Sequence, residues 1–191
     1  MESREKIEND ENSTKKITFS PSISQKKEKT KIIPKKEKSK RVITNHTSWQ
    51  KDIVFETQYN ILKEVKTFYN ELNPYHKCFI SQIKQKINGY FYQDEKKDKL
   101  NKDSFVDLSN VLQKLMDSNM ECYYCKKKIK VLYEYVREED QWTLERIDNK
   151  KGHNIDNIEI ACLSCNLRRR TMYHERYLFT KQMNIVKTSN L

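Results

Sequence analysis

Cys122-Tyr123-Tyr124-Cys125 and Cys162-Leu163-Ser164-Cys165-Asn166, with 36 residues between the two cysteine pairs, are the stretches around which this chain is organised. Each Cys-x-x-Cys pair can wrap a metal ion with a tight backbone turn. The intervening chain then has only to return, so Cys122, Cys125, Cys162 and Cys165 can stand tetrahedrally about one zinc. Cys78, the remaining cysteine, has no partner at such a spacing and reads as a small buried hydrophobe.

Between the pairs, residues 130–136 and 142–147 are rich in β-branched and aromatic side chains. Arg137-Glu138-Glu139-Asp140 separates them and suits a hairpin turn, so two paired strands are expected. Residues 157–161 offer a further short strand. From Leu163 to Met183 the chain has neither Gly nor Pro and reads as a single terminal helix.

Upstream the period changes to that of helices. Ile61, Val65, Phe68 and Leu72 recur at four, three and four residues, with Val54 one heptad earlier and Gln58 interrupting the face. Pro74 suits the first position of a second helix with Ile80, Ile83 and Ile87 inward. Asn88-Gly89 is expected to stop that helix, and a charged loop, Asp94 to Asp98, to follow. Ser104 is the expected N-cap of a third helix carrying Phe105, Leu108, Val111, Leu112 and Leu115 on its apolar side. The fold class is therefore α+β, with a helical support over 52–118 and a zinc-stapled C-terminal domain over 119–185.

The formal net charge is +11 and the pI about 9.3, which points to a polyanionic partner, nucleic acid before membrane. Eleven Lys or Arg against two Glu fall between Lys15 and Arg41. Residues 1–48 contain few large apolar side chains, so they are expected to be a disordered basic tail. Its run Lys35 to Arg41 is open to two readings, a solvated face or a phosphate grip or nuclear import signal. No apolar run approaches the roughly 20 residues that span a bilayer, and the first residues lack the apolar stretch of a secretory signal. The expectation is an intracellular protein, cytoplasmic or nuclear and not secreted. No small-molecule substrate is evident.

The residues between and beside the cysteines, Glu145-Arg146-Ile147-Asp148-Asn149, Gly152-His153, Asn157 and Asn166, carry a resemblance. Over about residues 120–172 the chain resembles the zinc-bearing branch of the HNH endonuclease family. That family's pattern runs CxxC, an acidic residue followed by His, a Gly-containing loop, Asn, four residues, CxxC and Asn. The resemblance implies a treble-clef, ββα-metal fold and a zinc that is structural, because four thiolates leave no position for water. It further implies a catalytic Mg2+ or Mn2+ near Glu145 and Asn166, Asn157 as support for the loop, and metal-dependent hydrolysis of phosphodiester bonds in DNA, with DNA ahead of RNA.

The departure falls where the family has its general base, for here the residue after the acid is Arg146, which cannot accept a proton. His153 and Asp148 are the candidates to replace it. His153 reads equally as a loop histidine and Asp148 as the head of an Asx turn. Arg146, Arg168, Arg169 and Arg170, with Lys126, Lys127 and Lys128, would face phosphates. The alternative is a catalytically degenerate HNH-like zinc module that binds DNA or RNA without cleaving it. A zinc-stapled protein-interaction domain is the third possibility.

Overall fold

The computed structural model describes residues 38–45, 54–67 and 73–183. Among them are five α-helices and one two-stranded antiparallel sheet: α1 (Phe55–Thr67), α2 (Pro74–Lys96), α3 (Leu108–Asp117), β1 (Trp142–Arg146), β2 (Ile158–Cys162), α4 (Leu163–Arg169) and α5 (His174–Gln182). The described residues all fall within one compact unit. No described helix is long and apolar enough to cross a membrane.

The inward side of α1 is formed by Ile61, Leu62 and Val65, and Gln58 is buried on the same side. Phe68 and Leu72, expected on that face, lie outside the described residues. Gln58 is a clamp rather than a flaw in the pattern. Its Oε1 accepts from the Val131 and Leu132 amides, both at 2.8 Å, and its Nε2 donates to the Leu132 carbonyl at 3.0 Å.

That clamp explains the first departure from expectation. Residues 130–136 do not form a hairpin strand, and β1 pairs instead with β2, Trp142 opposite Cys162 and Arg146 opposite Ile158. The backbone groups of 131–136 find other partners: Gln58, the Glu138 carboxylate at the Glu134 and Tyr135 amides, and residues 39–41. A segment whose donors are satisfied by side chains gains little from a ladder.

Residues 38–45 belong to the stretch expected to be disordered, yet residues 39–41 pair with the 133–136 segment here. Lys40 bridges Tyr135, and Arg41 donates to Gln82 Oε1 (2.6 Å) and the Tyr133 carbonyl (3.2 Å) with its guanidinium 4.0 Å from the centre of the Tyr133 ring. Residues 1–37 and 46–48 of that stretch lie outside the described residues.

Pro74 takes the first position of α2, as the sequence predicts, and Asn73 caps the helix through a reciprocal pair with His76. The helix does not stop at Gly89 but continues to Lys96. One Gly costs only about 1 kcal/mol in a helix, and the added turns carry Tyr90, whose hydroxyl accepts from the Leu144 amide at 3.2 Å, and the buried Asp94. Tertiary contact outweighs propensity here.

The N-cap of α3 is Asp107, paired reciprocally with Asn110, and not Ser104. Ser104 ends a turn instead and Phe105 bridges Asn154, with Ile155 N donating to Ser104 O (2.9 Å) and Val106 N to His153 O (3.1 Å). The expected terminal helix is two helices, because Arg170 adopts φ 53° between α4 and α5. One core joins all these elements: Leu62 and Val65, Phe79 and Ile83, Leu115, Trp142 and Leu144, Ile158 and Ile160 are buried in a single cluster that includes Cys122, Cys162 and Cys165.

Candidate metal centre and Glu145 site

The first cysteine pair sits on a tight turn. Cys122 N donates to Lys127 O and Lys126 N to Cys122 O, each at 2.9 Å, and Lys126 has φ 56°. The second pair straddles the end of β2 and the start of α4, where the Cys162 sulfur accepts from the Cys165 amide at 3.4 Å and caps the helix. A hydrogen bond from Tyr123 N to Ile160 O, 2.8 Å, brings the turn to the strand. All four sulfurs then lie within 4.8 Å of one another, so the set can hold a metal ion. The Cys125 and Cys162 sulfurs are 3.9 Å apart, against an edge of about 3.8 Å for a tetrahedron with metal–sulfur bonds of about 2.3 Å.

Hydrogen bonds from the Cys162 and Cys165 thiols pull the Cys122 thiol well below its ordinary pKa, and the shared protons hold Cys162 and Cys165 above theirs, Cys165 at about 11. A divalent cation would take the place of those protons. Cys78 stands outside the group, half-buried on α2, its thiol pushed up by burial.

Successive side chains of β1 point to opposite sides, and this alternation separates the candidate catalytic residues. Thr143 and Glu145 face α4. Asn166 Nδ2 donates to Thr143 Oγ1 at 3.2 Å, and Glu145 Oε1 accepts from Arg169 Nε. Arg169 is only 2% exposed. Its guanidinium also donates to the Arg146 carbonyl, to Asn149 Oδ1 (3.1 Å) and to the Met172 carbonyl (2.6 Å), so four oxygens surround it. Arg169 is therefore not free to hold phosphate, as the sequence reading expected. Glu145 is 4% exposed and its Oε2 is buried without a hydrogen bond. Burial pushes its carboxyl up, while the charge and hydrogen bond of Arg169 pull it back.

Arg146 points the other way, toward α2. Its Nη1 donates to the Lys151 carbonyl at 3.3 Å and lies 3.9 Å from Asp94 Oδ1. Asp94 holds His153 twice: Oδ2 accepts from the His153 amide, and the ring Nδ1 lies 2.9 and 3.0 Å from the two carboxylate oxygens. The Tyr90 ring covers the imidazole, centroids 4.3 Å apart. His153 is 3% exposed, and burial lowers its pKa against the pull of Asp94. Gly152 is required beside it, because a Cβ there would strike the Lys99 carbonyl and lie 2.8 Å from Asp94 Oδ2.

The connecting loop is tied by Asn157, which accepts from the Asp148 amide (2.8 Å) and donates to the carbonyls of Asp148 (3.0 Å) and Gly152 (2.9 Å). Asp148 Oδ1 accepts from the Lys150 amide at 2.8 Å, an Asx turn. Of the basic residues, Arg168, Arg170, Lys126, Lys127 and Lys128 are exposed, Lys128 pairing with Glu121 at 2.9 Å.

Asp94 escapes the sequence pattern because the charged run Asp94 to Asp98 reads as a loop. Carrying the helical spacing of Ile83 and Ile87 onward through Tyr90 reaches Asp94 on the same inward face. The bracing role of Arg169 leaves no such trace, since all three arginines of the run look alike. No family model matches this chain, and neither a curated protein nor a solved structure matches it significantly.

Proposed function

We propose that the protein is an HNH-like zinc module of treble-clef type that binds nucleic acid, DNA ahead of RNA, and does not hydrolyse it. The zinc is structural, closed by Cys122, Cys125, Cys162 and Cys165. The observation that carries the reading is the oxygen cage of Arg169, whose guanidinium takes Glu145 Oε1, two backbone carbonyls and Asn149 Oδ1. A fixed cation thus occupies the place in which the family resemblance expects Mg2+ or Mn2+. A hard divalent ion needs an octahedron of oxygens, several of them water, and these residues do not fit one. His153 adds to this, because it belongs to the α2 side of β1 while Glu145 and Asn166 belong to the α4 side. Exposed Arg168, Arg170 and Lys126 to Lys128 supply the contacts to phosphate.

One observation favours the rival, a metal-dependent endonuclease. Glu145 Oε2 is buried without a hydrogen bond, and a cation would satisfy it. Incubating the protein and its Glu145→Ala variant with supercoiled plasmid in Mg2+ or Mn2+, beside a salt titration of DNA binding, decides between them. The expected result is binding that weakens steeply between about 50 and 200 mM salt, with no nicking by either protein. Nicking by the parent that is lost in Glu145→Ala would establish the nuclease instead. Metal analysis should return one zinc per chain.

A further inference from the structure

We infer that the outward face of α5, together with the turn that precedes it, is a stacking platform for unpaired bases, so that the nucleic acid held is single-stranded or carries a single-stranded segment. The inference rests on the nucleic-acid reading above and narrows it. The orientation of α5 is set from within: Tyr177 is buried edge-on against Tyr124, ring centroids 4.9 Å apart, and Leu178 packs against the same core. With that side turned inward, Phe179 and Met183, four residues apart on the other side, face solvent, and Tyr173 stands bare in the turn that precedes the helix. Tyr173 is 79% exposed, Phe179 63% and Met183 43%.

The bare rings of Tyr173 and Phe179 stand in a basic stretch. Arg168, Arg170 and Arg176 are exposed in the same stretch, against the single acid Glu175. Arginines interleaved with open rings match the chemistry of a nucleic-acid strand, with the bases stacking on the rings and the phosphates meeting the guanidinium groups. A duplex offers no free base face for such stacking.

The platform is also braced. The Met172 carbonyl accepts from Arg169 at 2.6 Å and the Arg170 carbonyl from Asn149 Nδ2 at 3.1 Å, so the turn presenting Tyr173 is tied to the Glu145 site. The Tyr173 carbonyl accepts from the Tyr177 amide at 3.1 Å, but its side chain makes no capping hydrogen bond for α5. Replacing it therefore removes an exposed ring and little else.

The test is fluorescence anisotropy with the full chain and a labelled oligonucleotide of about 20 residues, as a single strand and as a duplex, using parent, Tyr173→Ala, Tyr173→Leu and Tyr173→Trp. The parent should prefer the single strand. Tyr173→Ala and Tyr173→Leu should each lose about tenfold on it and less than about twofold on duplex, while Tyr173→Trp keeps the parent affinity. Equal losses on both forms, no loss at all, or retention by Tyr173→Leu, with parent binding still salt-sensitive, would overturn the platform and leave the binding function standing. Failure of the parent to bind either form at low salt would remove both.

Discussion

Strand β1 turns Thr143 and Glu145 toward α4 and Leu144 and Arg146 toward α2, and the two sides carry charge with the roles exchanged. On the α4 side the strand supplies the acid, Glu145, and the helix the cation, Arg169. On the α2 side the helix supplies the acid, Asp94, and the strand the cation, Arg146, with the loop's His153 hydrogen-bonded to the same carboxylate. The difference teaches that Glu145 and Arg146, neighbours in the chain, do not share a site. An acid followed directly by its working partner is a motif only if local geometry brings both to one substrate, and a regular strand sends them apart.

The largest effect should come from the four-cysteine cluster beside the α4 side, which can hold a metal ion. Structural zinc binding is worth on the order of 10 kcal/mol, comparable with the whole stability of a domain. Chelation, or Cys165→Ser, should therefore abolish amide-exchange protection across β2 and α4, and unchanged protection after verified loss of zinc would break the picture.

Next in size is Arg169→Met, which strands a buried carboxylate. The expected loss is about 3–5 kcal/mol in urea unfolding, with Glu145→Gln in the same background recovering part of it. A loss below about 1 kcal/mol would mean that the pair behaves as a surface one.

On the other side, Gly152→Ala forces a methyl against Lys99 and Asp94 and should cost about 1–3 kcal/mol. Gly89→Ala meets nothing within 4 Å and should stabilise by up to about 1 kcal/mol.

The smallest and sharpest test is pH. His153 is held below its usual 6.5 by burial, so below that pH the unfolded chain binds more protons, and its contribution to stability is lost as pH falls through and below about 6.5. Glu145 is held above its usual 4.5 by burial, so there the folded state binds more protons, and its contribution is lost as pH rises above about 4.5. The two sides of β1 thus titrate in opposite senses. His153→Gln should remove a slope that rises with pH just below about pH 6.5, and Glu145→Gln one that falls with pH just above about pH 4.5. Parallel changes in both variants would refute the assignment.

The readable parts of the molecule were those whose geometry is local. The cysteine pairs, Ile61 and Val65 of α1, the inward face of α2, its Pro74 start and, to within a residue, the strand Ile158–Cys162 follow from spacing within one turn or one strand, whereas Val54, expected on the α1 face, is exposed. The unread parts depend on partners far along the chain. Residues 130–136 were diverted from a hairpin by Gln58, more than 70 residues upstream, and Gly89 failed to end α2 because Tyr90 and Asp94 find β1 and the 152–153 loop.

From the sequence alone came a four-cysteine cluster able to hold a metal ion, a mixed helix and sheet fold, and the identities of the residues around the site. Only the tertiary structure decided which of those residues meet. It placed His153 with Asp94, gave Arg169 to Glu145 and left Tyr173 and Phe179 bare, because strand alternation, helix length and burial are settled by long-range contacts that no local spacing encodes.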